Sequence, residues 1–269
     1  MPLTFNGNTP SAVTYNGNPV SEVTYNGVTV WQAAPATRAT EIGIKVYSWS
    51  YDPTFRFTQS AANAITIDWG DGSPTTTSAN LMDSITHTYP EPDDEAEYTI
   101  SITCASGETW YPGNSNIECF NESFYVQSLK LGNGARLDGI NAFRYMNELR
   151  TVDLYNELTS IAVNTFYGTA FPSIIIPDSV TTINLSVFRA NTSLTSVDIG
   201  SGVTSIGANS SFRECTALTS YTIRVTTPPA NSGLYTDYNP NLVIYVPSGS
   251  VADYQQAWSA YASLIQAIP

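Results

Sequence analysis

The stretch Leu194-Thr-Ser-Val-Asp-Ile-Gly-Ser-Gly-Val-Thr-Ser-Ile-Gly207 decides how this chain folds. Its apolar residues follow the frame apolar-x-x-apolar-x-apolar (Leu194, Val197, Ile199), and the same frame recurs along the chain. It reads Val126, Leu129, Leu131; Leu149, Val152, Leu154; Phe171, Ile174, Ile176; and Leu218, Tyr221, Ile223. The last position advances by 23, 22, 23 and 24 residues. A phenylalanine repeats in step at Phe143, Phe166, Phe188 and Phe212. Each unit therefore carries one short strand with its apolar residues turned inward, then an arc whose Phe plugs into the next layer. Such a unit cannot bury its own apolar face, so the units must stack, with their strands about 4.8 Å apart in a parallel sheet.

The wording of the units is also familiar. Ile176-Pro-Asp-Ser-Val180-Thr-Thr-Ile, Ile199-Gly-Ser-Gly-Val203-Thr-Ser-Ile206-Gly and Phe212-Arg-Glu-Cys-Thr-Ala-Leu218 resemble the leucine-rich repeats of BspA-like surface proteins. The resemblance covers residues 124–269 and implies a β solenoid. The first unit, with Gly132, Gly134 and Gly139, departs from the pattern and reads as an atypical N-terminal end. At the other end, Leu242-Val-Ile-Tyr-Val-Pro247 reads as a final strand. Ser248 reads as the cap of a helix from Val251 to about Ala262 that carries Tyr254, Trp258 and Tyr261. A terminal helix of this kind closes the open end of a stack.

Residues 40–105 show a different pattern. Ile42, Ile44 and Val46 alternate, followed by Phe55 and Phe57, then Ile65, Ile67 and Trp69. Short strands at this spacing predict an antiparallel sandwich. Three blocks occur in order: Ile67-Asp-Trp-Gly-Asp-Gly72, His87-Thr-Tyr89, and Tyr98-Thr-Ile-Ser-Ile102. They resemble the polycystic-kidney-disease (PKD) type of Ig-like domain, a spacer and adhesion module for which no catalysis is implied. A Gly/Asn/Ser-rich connector, 106–125, joins this segment to the repeats.

Residues 1–33 carry a ten-residue period, Leu3-Thr-Phe-Asn-Gly, Val13-Thr-Tyr-Asn-Gly and Val23-Thr-Tyr-Asn-Gly. Asn-Gly supplies the positive φ angles of a tight hairpin. Lone hairpins are marginal in water, so this segment is expected to pack on itself, a second copy or another protein, and to serve attachment. Similar hairpins occur in bacteriophage tail and fibre proteins. Met1-Pro-Leu-Thr-Phe-Asn-Gly has neither the cationic nor the apolar region of a secretory signal.

Composition narrows the function. The 269 residues carry 10 Lys plus Arg against 23 Asp plus Glu, a net charge of −13. A phosphate-tracking surface needs clustered cations, so nucleic acid is not an expected partner. Anionic membranes would repel the chain, and no apolar run reaches the roughly 20 residues of a bilayer span. His87 is the single histidine; it reads as a structural residue beside the Asp-Gly turn rather than as a general base. Asp68 and Asp71 sit in that turn for backbone reasons. Glu91-Pro-Asp-Asp-Glu-Ala-Glu97 reads as a solvated acidic loop, with calcium binding as the alternative, although it lacks EF-hand ligand spacing. Cys104 and Cys119 could pair; the simpler reading is three reduced thiols, with Cys215 in a core. Asn121, Asn191 and Asn209 begin glycosylation acceptor triplets.

The expected fold class is mainly β and modular: N-terminal β-hairpin repeats (1–33), a PKD/Ig-like β-sandwich (40–105) and a C-terminal leucine-rich-repeat solenoid with a capping helix (124–269). No catalytic, cofactor-binding or metal residue is assigned, and no cofactor is expected. The expected role is structural and adhesive, as a phage virion fibre or decoration protein located in the virion. Its partners would be other virion structural proteins through residues 1–33, a host surface protein or glycan through the repeats, and, as an open option, copies of the same chain in a homo-oligomer. The alternative is a bacterial cell-surface adhesin of the BspA-like class, located extracellularly; a glycan-active enzyme is the remaining class.

Overall fold

The computed structural model describes residues 14–15, 18–19, 22–25, 28–32, 39–47, 54–59, 65–73, 75–76, 82–104, 109–113, 120, 125–155, 157–208, 211–234 and 239–269. The chain divides into two compact units, Met1–Thr37 and Arg38–Pro269. In the first, β1 (Thr14–Tyr15) pairs antiparallel with β2 (Asn18–Pro19), and β3 (Glu22–Tyr25) with β4 (Val28–Gln32). The first repeat, around Asn6-Gly7, and the Asn16-Gly17 and Asn26-Gly27 turns lie outside the described residues.

The second unit begins with β5 (Thr40–Tyr47), whose side chains are alternately buried. It continues through β6 (Thr54–Gln59), β7 (Thr66–Asp68), β8 (Thr75–Thr76), β9 (Met82–Thr86), β10 (Glu95–Thr103) and β11 (Trp110–Pro112). Two sheets result: β11-β6-β9, all antiparallel, and a larger one that includes β5-β10-β7-β8. Ile42, Ile44, Val46, Ile67, Trp69, Ile100 and Ile102 are all buried, as period-two alternation requires of a strand with one face on a core. Gly70 turns the chain after β7 at φ +83°, and a Cβ there would lie 2.6 Å from the Thr99 carbonyl oxygen. Only glycine meets both demands.

The larger sheet runs on into the repeats. β12 (Tyr125–Lys130) pairs antiparallel with the free side of β5, with a bulge between Val126 and Ser128. β13 (Thr151–Asp153) then pairs parallel with β12. The segments 40–105 and 124–269 therefore share one sheet within one compact unit. Glu41 and Lys130 pair across the join at 3.0 Å, and the buried Thr40 hydroxyl accepts the Gly132 amide at 2.9 Å.

From here each coil repeats. β15 (Ser173–Ile176), β17 (Ser196–Ile199), β19 (Ser220–Ile223) and β20 (Val243–Val246) form a parallel sheet in strict register, with Ile176 opposite Ile199 and Ile199 opposite Ile223. The expectation of a single strand per unit is corrected. A second face holds the two-residue strands β14 (Ser160–Ile161), β16 (Thr182–Ile183) and β18 (Ser205–Ile206), also parallel. Each coil thus buries a second isoleucine, Ile161, Ile183 or Ile206, from the far side.

The arc between the faces turns on a pair of left-handed residues four apart: Asn141 and Tyr145, Asn164 and Gly168, Ser186 and Ala190, with Glu214 in the following coil, all at φ between 56° and 66°. A non-glycine residue in this region costs about 1–2 kcal/mol. The return is the placement of the phenylalanine between them. Phe143, Phe166, Phe188 and Phe212 are buried and stack face to face with centroids 5.8, 5.8 and 5.1 Å apart. Each donates its backbone N–H to the next coil at 2.9 Å, to Thr165, Val187, Ser211 and Gly233 respectively. Beside the ladder, buried Thr169 donates to Asn191 Oδ1 (2.6 Å), Asn191 Nδ2 to the Phe166 carbonyl (3.1 Å) and Cys215 Sγ to the Phe188 carbonyl (3.0 Å). Every side chain of this row has a partner, as a dry interior demands. Asn191 is fully buried, which removes it as a glycosylation acceptor; Asn121 and Asn209 lie outside the described residues.

The C-terminal end differs from its expected form. Ser248 lies inside a 3-10 turn, Ser248–Ser250, and caps nothing. The helix α1 is shorter, Val251–Ala257, with Ser250 at its N-cap position donating its hydroxyl to the Thr226 carbonyl. A further 3-10 turn, Ser259–Leu264, follows, and the chain then adds β21 (Ile265–Ala267) parallel to β20. The last strand is therefore β21, and α1 is the crossover that a parallel addition needs. Buried Tyr254 and Trp258 close the stack, bonding the Val225 and Pro229 carbonyls at 2.8 and 2.9 Å.

The ladder makes a direct prediction. Phe188→Ala leaves a cavity between two rings and should cost about 3–5 kcal/mol; an unchanged midpoint in thermal or denaturant unfolding would contradict the stacked packing. Gly202→Ala should also destabilise, by about 1–3 kcal/mol, because its Cβ would collide with the Asp178 carbonyl oxygen of the preceding coil.

Candidate functional site

Stacking consumes the inward side chains of each strand and leaves the alternate ones outside. Register aligns them in two outward rows, Ser173, Ser196, Ser220 and Val243, and Ile175, Asp198, Thr222, Tyr245 and Gln266. Ile175 is 70% exposed, flanked by the buried Ile174 and Ile176. Arg224 holds Asp198 by two bonds of 2.8 and 2.7 Å. That pair is exposed to solvent and adds little stability, about 0–1 kcal/mol, but it fixes the charge pattern of the face.

The face has a seam. β13 belongs to the sheet that contains β5 and β10, and β15 opens the next one, with no ladder between them among the described residues. A cleft of about 440 Å³ lies at this break, lined by Val152, Asp153, Tyr155, Ser173, Ile175 and Pro177 among others. Tyr155 is held by Asn133 Nδ2 at 2.9 Å. The cleft offers one carboxylate, one phenol, one hydroxyl and an apolar wall. Such a site can bind. A glycosidase needs two carboxylates flanking the bond, and a triad needs an imidazole; the described lining holds neither.

The single histidine lies elsewhere and is a structural tie. Its Nε2 meets Asp71 Oδ2 at 2.8 Å, its ring stacks on Trp69 (centroids 4.6 Å, 6° between planes), and Tyr89 packs edge-on at 4.6 Å. The Tyr89 hydroxyl donates to the Trp69 carbonyl at 3.0 Å. Ser73 bonds Asp71 Oδ1 through its hydroxyl and amide, so the hydroxyl sits on the carboxylate rather than on the imidazole and is not activated as a nucleophile. Asp68 Oδ1 accepts the Gly70 amide at 2.9 Å. In the acidic segment, Glu95 and Glu97 belong to β10 and face Lys45 at 2.9 and 3.8 Å. No group of three or more metal-ligating side chains occurs among the described residues, and among them no helix is long and apolar enough to cross a membrane. Cys104 Sγ donates to the Asn133 carbonyl at 3.3 Å, and Cys119 lies outside the described residues.

Ile175, Asp153 and Tyr155 line the cleft, and the sequence assigns a binding role to none of them. The signal was present. In a strand, Ile174-Ile175-Ile176 can hide only alternate residues, and the repeat frame already turns Asp153 outward.

Desolvation at Asp71 opposes ionisation, but bonds from Ser73 and His87 outweigh it and hold the carboxyl below its ordinary 3.8. A depressed carboxyl stabilises the fold above its unfolded value and loses that contribution as pH falls through the folded one. Asp71→Asn should therefore lower the melting temperature more at about pH 7 than at about pH 3; equal losses at both would show that the carboxylate's charge contributes nothing.

Residues 115–236 match the sequence profile of the BspA type leucine rich repeat region, in six copies. Among solved structures, a leucine-rich repeat protein from Bacteroides ovatus matches with 14% identity over 53% of this chain, at a TM-score of 0.15. The chain spans 66% of that protein's length. No curated protein matches. The span similar to the BspA type leucine rich repeat, residues 115–236, is under half of the chain and takes in most of the coils described above.

Proposed function

We propose that this chain is a non-catalytic adhesion protein of the bacterial cell surface. In this reading the repeats present the outward rows and the seam cleft to a protein or glycan. Residues 40–105 form a PKD-type Ig-like spacer at the base, and residues 1–33 attach the assembly. The observation that carries the reading is the BspA-type repeat region itself, a fold whose side chains are spent on stacking and whose product is a long regular face. The resemblance of these repeats to bacterial surface proteins favours the cell surface over a virion. A virion role has one observation behind it, the paired hairpins β1–β2 and β3–β4 in a unit of their own.

Immunogold labelling of intact source cells and of any phage they release separates the two: label on the cell envelope is expected, and label confined to particles would overturn the cell-surface assignment. For the binding face, Ile175→Asp should leave the melting temperature unchanged, since the side chain is 70% exposed, and weaken adhesion to host cells about tenfold or more. Release of reducing sugar from a bound glycan, abolished by Asp153→Asn, would overturn the non-catalytic reading.

A further inference from the structure

The left-handed turns that seat the phenylalanine ladder also align the residue after each Phe, and that row is unlike the rest of this acidic surface. It reads Arg144, Tyr167, Arg189, Arg213, one per coil, over about 14 Å at a coil spacing of about 4.8 Å. Three of the eight arginines of a chain with net charge −13 thus fall on one line. Two tyrosines interleave with them. The Tyr145 ring, 51% exposed, lies over Gly168, where a Cβ would come within 2.9 Å of it, and meets Tyr167 edge-on at 5.3 Å. The Arg144 guanidinium sits 4.5 Å from the Tyr145 centroid and 5.1 Å from that of Tyr167; Arg189 lies 5.6 Å from Tyr167. Arg144 Nη2 donates to the Tyr145 hydroxyl at 2.9 Å, while its buried Nε–H has no partner among the described residues. Glu214 Oε1 receives Arg189 at 2.8 Å and lies 3.4 Å from Arg213 Nε. Ile140 and Leu185, 36% and 49% exposed, immediately precede the left-handed Asn141 and Ser186 of the same turns.

From this placement we propose that the Arg144–Tyr145–Tyr167–Arg189–Arg213 row is a binding strip for a uronate-containing polysaccharide. The inference rests on the adhesive reading and names a site and ligand class for it. Guanidinium forks match carboxylates in a planar, bidentate way, and exposed aromatic and aliphatic faces match the apolar faces of sugar rings. The cations are few, spaced by coils and interleaved with apolar surface. That suits a linear polymer with one carboxylate per ring rather than a densely charged one, which the surrounding negative charge and Glu214 would repel. The same sparseness argues against nucleic acid.

The test is biolayer interferometry of the full chain on immobilised polygalacturonate, with dextran sulfate, neutral dextran and polyglutamate as comparison surfaces. Polygalacturonate should bind, more weakly as salt rises, with no comparable signal on the other three. Arg144→Gln/Arg189→Gln and Tyr145→Ala should each weaken binding about tenfold or more, with Lys45→Gln, on β5 and off both the row and the repeat face, unaffected. Tyr145→Phe, which keeps the ring, should retain most of it. Circular dichroism melting verifies that each variant is folded; should the double variant unfold, Tyr145→Ala set against Tyr145→Phe decides. Absence of binding to polygalacturonate, equal or tighter binding to dextran sulfate or polyglutamate, or binding indifferent to the row variants would each overturn the proposal. Host-cell adhesion that is lost in Ile175→Asp and intact in the row variants would overturn it while leaving the adhesive reading in place.

Discussion

Each coil of this protein has two apolar faces and only its neighbours to hide them against. Every strand is short, at most four residues on the main repeat sheet beyond β13, and no strand of that length persists alone in water. The rings of Phe143, Phe166, Phe188 and Phe212 express the constraint most plainly. Each is a ceiling for one coil and a floor for the next, and the 2.9 Å backbone bonds that accompany them recur at every step. The left-handed Asn141, Ser186, Ala190 and Glu214 are strained residues held in place by that packing.

A stack has two ends, and unprotected ends expose strand edges and apolar surface. The two ends are managed differently. At the start, β5 covers β12 in an antiparallel ladder, so the upstream segment serves as the N-terminal cap. At the finish, β21 adds one more parallel strand, and Tyr254 and Trp258 cover the last layer with their polar atoms bonded to carbonyls of the segment between β19 and β20.

Much of this was legible in the residues. The 23, 22, 23, 24 spacing gave the coil length, and the apolar frame gave the inward residues of β15, β17 and β19, all of which are buried. The second strand of each coil was not legible because two residues, such as Thr182–Ile183, are too few to show a period. The C-terminal helix was overextended because its apolar positions Tyr254, Trp258 and Tyr261 keep helical spacing, whereas the chain turns at Trp258 to deliver Ile265 to the sheet. The surface was the least legible. Ile175 looks like core by composition, and the arginine–tyrosine row emerges only when residues 22 to 24 apart are brought side by side.

The face and the turn row are two products of one repetition, since anything placed outward in one coil is displayed again a step later. Function on such a scaffold follows from which side chains fill a row, and stability from those that point in. The central claim is that coils are interchangeable layers, each stabilised by its neighbours. The most direct measurement is the thermal unfolding, by circular dichroism, of a variant lacking residues 177–199, in which Ile176 is joined to Gly200 and one whole coil is removed. The account predicts a β-rich protein that still unfolds cooperatively at a lower temperature, with Phe166 now facing Phe212. A chain that is unfolded at every temperature would contradict it.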